Sequence, residues 1–314
     1  MTAAESIRGE NSRYQRRSCP SCLTSTQRPT VVASKLPAER TSFQLLRDQW
    51  SGFFKDKSFF SYARCVTCDL LYAPVYFTSA QLAELYRSMP NNMSDVAGGI
   101  LARTQYGYFR ELRQLSPLRG QFLEVGPDVG LLTQYCARLG DFSKLWLFEP
   151  NVTAHAQLVS RLGSIDREIS TDLLDLSNVP GRSIDVVAMV HVLDHLIEPV
   201  EFLRQVRTKL AADAIVLIVT HDESSLLARA IGTRWPAYCL QHPHLFKPKS
   251  IQRMLNDAGY TVVRSVKSVN YFPMTYLIKH LAFAISGASL ALPSLERFTI
   301  PLRLGNLITM ASPH

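Results

Sequence analysis

Phe122-Leu-Glu-Val-Gly-Pro-Asp-Val-Gly130 is the most informative stretch in this chain of 314 residues. It begins as a short apolar run, continues with a loop that contains two glycines, and precedes the helical pattern of Leu131–Leu139. Glycine lets the backbone turn sharply and approach a ligand closely, and the following helix presents free N–H groups and a positive dipole end. The stretch therefore predicts a strand, a ligand-binding loop and a helix.

The composition of this loop indicates the kind of ligand. Asp128 occupies the position of the middle glycine of a dinucleotide-binding GxGxxG loop, so an NAD-dependent oxidoreductase is disfavoured. A loop with few glycines and an acid, Glu124, at its start suits a ligand without phosphate. Glu149, at the end of the second predicted strand, can accept hydrogen bonds from both hydroxyls of a ribose, or it can cap the next helix. The combination predicts a nucleoside-type ligand.

Beyond Gln121 the chain alternates short apolar runs with helical segments, which is typical of a doubly wound α/β sheet buried on both faces. The predicted strands are Phe122–Val125, Leu145–Phe148, Ile184–Val190 and Ile215–Val219, with two more near Thr261–Val269 and Asn306–Met310. The predicted helices between them are Leu131–Leu139, Thr153–Leu162 and Pro199–Leu210.

Further motifs make the chain resemble the class I methyltransferases that use S-adenosylmethionine (SAM), from about residue 100 to the C terminus. They are Leu147-Phe-Glu-Pro150, Val190-His-Val-Leu-Asp-His-Leu196, Glu198-Pro-Val-Glu-Phe-Leu203 and Gln241-His-Pro-His-Leu-Phe246. The resemblance implies a Rossmann-like seven-stranded sheet whose last strand is antiparallel.

The same resemblance implies SAM as the cofactor. Glu124, Gly126, Gly130 and Glu149 would then bind it, with Glu124 helping to orient the ammonium of the aminoacyl part, directly or through water. The resemblance also places Asp172 near the adenine and His191 near the SAM pocket.

Four of the six cysteines form two pairs, Cys19-Pro-Ser-Cys22 and Cys65-Val-Thr-Cys68. Since no secretion signal is recognisable, such pairs indicate a metal site rather than disulfides, with buried free thiols or a redox pair as the alternatives. Four thiolates suit tetrahedral Zn²⁺ in a structural role, because no coordination position stays open. Cys65-Val-Thr-Cys-Asp-Leu-Leu-Tyr-Ala-Pro74 resembles the zinc-binding region that precedes many small-molecule methyltransferases, with Asp69 in place of the usual glycine.

Those relatives methylate sugars, often nucleotide-linked, and other secondary metabolites, which implies a small-molecule acceptor and O- or C-methylation. Methyl transfer requires near-attack geometry, and a hydroxyl or C–H acceptor also needs a base. The candidate bases near the carboxyl edge of the sheet are His191, Asp194, His195, His221, His242 and His244. We predict His242 as the base, followed by His195 and His244. Trp235, Tyr238 and Phe246 either line the acceptor pocket or belong to the core.

The organisation expected from these features has four parts: a disordered tail (1–18), a zinc-binding module (19–75), a helical linker region (76–118) and a methyltransferase domain (119–314). Helices are predicted at Ser79–Ser88 and Leu101–Leu115, with a linker at Asn91–Gly99 between them. Residues 271–303 could cover the pocket, form a homodimer interface or touch lipid.

The net charge of +8 is compatible with acidic partners, but it is scattered and contains no run of five like charges. The longest apolar stretch, near Leu281–Leu292, is too short to span a bilayer, so we expect a cytoplasmic protein without a transmembrane segment. A nucleic-acid methyltransferase is the alternative function, although Met189–Leu193 lacks the motif of DNA amino-methylating enzymes. A catalytically inactive, partner-binding SAM-fold protein is the other, and the intact Glu124/Gly126/Gly130/Glu149 set argues against it.

Overall fold

A computed structural model describes residues 14–25, 27–50, 58–87, 98–275, 278, 299–303 and 305–314. Most of the predicted tail, most of the predicted 91–99 linker and most of 271–303 lie outside these residues. Among the helices of the described residues, none is long and apolar enough to cross a membrane.

The N-terminal part is built from short strands and two helices. Its elements are β1 (Gln15–Arg16), β2 (Gln27–Val32), α1 (Phe43–Asp48), β3 (Tyr62–Cys65), β4 (Leu71–Tyr72), β5 (Val75–Tyr76) and α2 (Ser79–Arg87), with a 3-10 turn at Ala38–Arg40. Strand β3 pairs antiparallel with β2 and β4, and β1 pairs with β5. Helix α3 (Gly98–Arg113) leads into the larger part, so both predicted helices of this region are confirmed.

In the larger part, the described residues form ten strands and five helices. The strands are β6 (Arg119–Val125), β7 (Asp141–Phe148), β8 (Asp166–Ser170), β9 (Ile184–Val190), β10 (Leu210–His221), β11 (His244–Leu245), β12 (Tyr260–Lys267), β13 (Asn270–Pro273), β14 (Thr299–Leu302) and β15 (Asn306–Pro313). The helices are α4 (Leu131–Leu139), α5 (Val152–Leu162), α6 (Pro199–Lys209), α7 (Leu226–Ile231) and α8 (Pro248–Asp257), with a 3-10 turn at Gly232–Arg234.

Seven of these strands form one sheet in the order β12-β15-β10-β9-β6-β7-β8. Strands β6 to β10 run parallel, whereas β15 pairs antiparallel with both β10 and β12. Neighbouring residues of β6 enter cores on opposite faces: Leu123 packs in one buried cluster and Phe122 in the other. The predicted doubly wound, seven-stranded sheet with an antiparallel last strand is confirmed.

Strand β8 was not predicted, and its composition explains why. Its sequence is Asp-Arg-Glu-Ile-Ser, and none of its residues is fully buried. Among the described strands it pairs with β7 alone, at the edge of the sheet, so one side of it needs no apolar partner. A polar edge strand carries no run of apolar residues for sequence reasoning to detect.

The N-terminal part pairs with a strand from late in the chain and packs against the main sheet. Strand β11 lies late in the chain, yet it pairs antiparallel with β4 and completes a four-stranded sheet with β3 and β2. Cys19, Tyr72 and Phe246 belong to the same buried cluster as Leu123 of the main sheet. The guanidinium of Arg64 donates to Glu223 at 2.8 Å across the same boundary. The division at residues 19–75, 76–118 and 119–314 stays a prediction.

Candidate functional site

The loop after β6 has a left-handed backbone at three positions. Gly126, Asp128 and Gly130 have φ of 67°, 51° and 76°. A Cβ on Gly126 would lie 2.9 Å from Val192 Cγ2, and one on Gly130 would lie 2.4 Å from Leu158 Cδ1. Asp128 keeps the conformation of the glycine that it replaces, which aspartate tolerates better than most residues. Gly130 lets α4 approach α5 closely, so its first role is packing.

Glu149 connects this loop to the end of β7. Its side chain is buried, and its Oε2 accepts from the Asp128 N–H at 2.7 Å while its Oε1 accepts from the Asn151 N–H at 2.8 Å. Burial raises the pKa of Glu149, and these two N–H groups oppose that shift. Each carboxylate oxygen retains a second lone pair, so the group is held in place and can still accept from a ligand hydroxyl.

Glu124 lies in β6, just before the loop, and is 2% exposed. The Thr133 hydroxyl donates to its Oε2. Burial raises the pKa of Glu124 to about 8, and the nearby Glu149 adds to the shift. A cation placed beside Glu124 would favour its ionised form.

Asp172 and His191 follow the next strands at the same sheet edge. Asp172 is exposed beyond the end of β8, and its Oδ1 accepts from the Leu174 N–H at 2.9 Å. His191 follows β9 with a φ of 54°, and its N–H donates to the Val219 carbonyl at 2.9 Å. The six residues predicted to bind the cofactor thus lie at or just beyond the carboxyl ends of β6, β7, β8 and β9, which is where open α/β sheets bind ligands.

Four histidines surround a buried aspartate beside this loop, and we call His191, His195, His221, His242 and Asp194 the histidine cluster. Ring centroids are 4.5 Å apart for His191 and His221, and 4.6 Å apart both for His221 and His242 and for His195 and His242. Asp194 is fully buried, and its Oδ2 accepts from the backbone N–H and from Nδ1 of His221. Burial would raise the pKa of Asp194, but His221 holds it well below its usual value.

His242, the first predicted base, is 6% exposed. Its Nδ1 lies 2.7 Å from the Ala237 carbonyl and 3.3 Å from Cys239 Sγ. Burial would lower the pKa of His242, but the Cys239 thiol and the Asp194 carboxylate outweigh it and raise the pKa to about 9.

His195, the second predicted base, has its Nδ1 3.5 Å from the Tyr86 hydroxyl of α2. Burial lowers the pKa of His195 well below its usual value, so this imidazole is neutral.

His244, the third predicted base, lies apart from the cluster. It is fully buried in β11, its Nε2 is 2.9 Å from the Leu193 carbonyl, and its ring packs on Phe246. Burial lowers the pKa of His244 to about 3. These contacts are those of a core histidine.

Of the three aromatic residues named from the sequence, one lies beside the histidine cluster and two lie in buried cores. Trp235 lies with its ring centroid 6.2 Å from that of His221, beside the cluster. Tyr238 is buried and stacks on Phe59, and Phe246 belongs to the main core.

The pairing of Asp194 with His221 is the feature that sequence reasoning missed, although both residues were among its candidates. The signal was present: Asp194 follows β9 and His221 ends β10, and these two strands are parallel neighbours.

The four paired cysteines converge. Their sulfurs all lie within 4.8 Å of one another, with Cys19 to Cys68 and Cys22 to Cys65 both at 3.4 Å. A tetrahedron of Zn–S bonds of about 2.3 Å has sulfurs about 3.8 Å apart, so these separations fit the ion.

The two cysteine turns are built alike. The residue after each pair, Leu23 or Asp69, has a φ near 60° (59° and 62°), and its N–H donates to the carbonyl of the first cysteine. Asp69 therefore preserves the left-handed position for which the resembled region uses glycine.

Comparisons with known proteins agree with this geometry. A family model described as a methyltransferase domain matches residues 100–265. No curated protein sequence matches the chain significantly. A chain from the complex between the Haloferax volcanii Trm112 methyltransferase activator and a candidate methyltransferase has a TM-score of 0.50 at 10% identity, over 68% of this chain and 92% of that one. This likeness supports the fold.

Two further solved structures are described as SAM-dependent methyltransferases. The one from Leishmania major has a TM-score of 0.49 at 14% identity, over 74% of this chain and 81% of that one. The one from Mesorhizobium loti has a TM-score of 0.45 at 14% identity, over 66% and 97%. Since the methyltransferase-domain model spans more than half of this chain, the chain belongs to the methyltransferase family that the model describes.

Proposed function

We propose that this protein transfers a methyl group from SAM to a small-molecule acceptor, a sugar, nucleotide-sugar or secondary metabolite, at oxygen or carbon. One observation carries the proposal: a loop suited to a nucleoside and a cluster of proton-accepting side chains lie side by side at one sheet edge. The loop follows β6, and the cluster follows β9 and β10, which are consecutive neighbours in the sheet.

The cofactor residues take their roles from their positions. Glu149 would accept from the ribose hydroxyls, because two backbone N–H groups already hold its carboxylate in place. Glu124 would face the ammonium, directly or through water, and Asp172 the adenine. Gly126 and Gly130 would allow close approach, and His191 would border the pocket. Bound SAM would supply an electrophilic methyl group on a sulfonium.

The chain's own residues would handle the acceptor and its proton. We assign proton acceptance to the pair His242 and His195, because their rings lie edge to face at 4.6 Å within the cluster. Since the pKa of His242 is raised to about 9, the neutral imidazole of His195 accepts the proton near pH 7, and His242 can do so only at higher pH. The Ala237 carbonyl fixes Nδ1 of His242, which orients the ring so that Nε2 is the atom offered to an acceptor. His244 has weaker support, because the Leu193 carbonyl holds its Nε2.

A zinc ion bound by Cys19, Cys22, Cys65 and Cys68 would stabilise the N-terminal part, since the sulfur separations fit tetrahedral coordination. Its role would be structural. This part in turn holds residues 235–247, the segment that contains β11 and that we call the 235–247 loop. The Tyr62 hydroxyl donates to the His242 carbonyl at 2.6 Å, and the Gln241 amide donates to the Trp50 carbonyl at 2.8 Å.

A small acceptor is favoured because the candidate proton acceptors are enclosed. His242 is 6% exposed, which restricts access to a group that can enter the cluster. The resemblance of Cys65–Pro74 to the region preceding small-molecule methyltransferases supports the same class. Salt-dependent retention of the protein on RNA would instead favour the nucleic-acid alternative.

Calorimetric titration with SAM tests the proposal, with NAD as the control ligand. We expect micromolar binding of SAM alone, lost in Glu149→Ala. Glu168→Ala serves as the matched control, because this carboxylate lies on neighbouring β8 and pairs with Lys144 at 3.7 Å on the surface. Absence of SAM binding to folded, zinc-loaded protein would contradict the proposal and favour a partner-binding role.

A further inference from the structure

A second group of metal-ligating atoms lies within the histidine cluster. His191, Asp194 and His221 each offer one ligand atom, and the three atoms lie within 4.8 Å of one another. The residues come from two adjacent strand ends: His191 and Asp194 follow β9, and His221 ends β10. Parallel register between Val190 and Val219 brings these ends together.

Two atoms of this group are buried and have no hydrogen-bond partner among the described residues. They are Oδ1 of Asp194 and Nδ1 of His191. A buried acceptor or donor without a partner is unfavourable, and native proteins rarely leave one without a reason such as an ion. Asp194 is fully buried, so its second oxygen has no access to bulk water.

The backbone at His191 also suggests a functional position. A φ of 54° is uncommon for a residue other than glycine, and strain of this kind concentrates at active and ligand sites. The His191 N–H is fixed on the Val219 carbonyl at 2.9 Å, and the Asn306 amide lies 3.1 Å from its Nε2. These contacts hold the ring against that of His221, next to Asp194.

The donor set differs from that of the cysteine cluster. Two imidazoles and one carboxylate suit first-row divalent metals such as Fe²⁺, Co²⁺ or Zn²⁺, and three ligands leave coordination positions open. Four thiolates, by contrast, close a zinc site.

We propose that His191, Asp194 and His221 bind a divalent transition-metal ion that is separate from the ion of the four cysteines. In the methyl transfer proposed above, on which this role rests, the ion would bind the oxygen of a hydroxyl acceptor. Metal coordination makes such an oxygen more acidic. The proton would pass to the His195–His242 pair, the acceptor oxygen would form a bond to the methyl carbon, and the carbon–sulfur bond of SAM would break to leave the thioether.

Cobalt is the probe for this site, because thiolate and histidine–carboxylate coordination give Co²⁺ different spectra. Protein loaded with Co²⁺ should hold two equivalents by elemental analysis. Asp194→Asn and His221→Ala should each hold one, keeping the strong thiolate charge-transfer bands and losing the weaker visible bands. His314→Ala, which removes a histidine at the chain end, should still hold two. Cys19→Ser should lose the charge-transfer bands and keep the weaker ones.

Circular dichroism and the affinity for SAM, measured on the same variants, separate the outcomes. A folded Asp194→Asn variant that binds SAM but lacks the second equivalent supports the proposal. Wild-type protein that binds SAM and holds one equivalent of Co²⁺ overturns the metal site and leaves the methyltransferase proposal standing. Two equivalents without SAM binding would overturn the proposed function instead.

Discussion

The cofactor loop and the histidine cluster lie at the same sheet edge, but they are assembled in different ways. The loop is nearly continuous in sequence, and its conformation is held by its own glycines and by Glu149 at the end of the next strand. The cluster combines the turn after β9, the end of β10 and the 235–247 loop. In the proposed function, cofactor binding would therefore be a local property of the sheet, whereas acceptor chemistry would depend on segments far apart in the chain.

Three hydrogen bonds join the N-terminal part to the histidine cluster and to the 235–247 loop beside it. Tyr62, Tyr76 and Tyr86 reach the His242 carbonyl, the Leu240 carbonyl and His195 Nδ1, respectively. In the proposed function the cysteine-containing part would thus support the acceptor side, and changes to it should affect turnover before they affect SAM affinity.

The largest expected effect is on the cluster. His195→Asn combined with His242→Asn should lower kcat by about 10²- to 10⁴-fold, the range for removal of a general base. The dissociation constant for SAM should stay within about twofold, because neither side chain belongs to the loop. Kinetics with labelled SAM and calorimetry measure the two quantities. A parallel loss of SAM affinity would show that the two regions are not separable.

The second-largest expected effect is on the pH dependence of folding stability, through Glu124 next to the cofactor loop. Burial raises the pKa of Glu124 to about 8, so folding stability falls as pH rises from the unfolded value of 4.5 through 8. Glu124→Gln carries no charge to bury. We compare the free energy of unfolding of the variant with that of the wild type. The advantage of the variant should therefore be larger at pH 9 than at pH 5, by roughly 4 kcal/mol.

Urea denaturation of SAM-free protein at both pH values measures this difference. The exposed Glu168→Gln variant should show little change. A difference that is the same at pH 5 and pH 9 would rule out a buried, neutral Glu124.

Gly130→Ala should destabilise the protein by about 3 kcal/mol, because it combines an unfavourable φ with an overlap on Leu158. Gly163→Ala is the control without an overlap: its φ is 64° and its ψ is −140°, and a Cβ there meets nothing within 4 Å. Backbone strain alone should cost about 2 kcal/mol at this position. Thermal or urea unfolding of both variants measures the contribution of packing. Equal losses would mean that α4 and α5 do not need the close approach at Gly130.

The smallest effect tests the support from the N-terminal part. Tyr62→Phe removes the hydroxyl that donates to the His242 carbonyl, at a cost of about 1 kcal/mol. Turnover should fall several-fold with SAM affinity unchanged. Tyr260→Phe loses a comparable bond, 2.6 Å to the Leu203 carbonyl, away from the cluster, and should leave turnover unaffected. Equal turnover for both variants would argue that the 235–247 loop keeps its conformation without the Tyr62 hydroxyl.

Sequence reasoning succeeded where the information is contiguous. The apolar runs at Phe122, Leu145, Ile184 and Ile215 all lie in strands of the main sheet, and α4 has the predicted bounds. It missed β8, whose residues are polar because it lies at an edge. It also could not detect β4 and β11, since strands of two residues have no measurable period.

The positions of the candidate residues follow from the sequence to different degrees. Glu149 and the two glycines could be placed at the strand ends because the strand–loop–helix pattern fixes their neighbours. The contact between Asp194 and His221 depends on β9 and β10 being adjacent, which follows from strand order and not from any single segment. The roles of these residues in binding and catalysis stay predictions.

The pairing of β11 with β4 limits how the protein can be shortened or recombined. A fragment beginning at residue 119 would expose the free edge of β11 and the side chain of Leu245, which is fully buried among residues of the N-terminal part. Exposed edges and apolar side chains of this kind promote aggregation. An exchange of the N-terminal part with that of a relative would therefore need to carry residues 235–247 along with it.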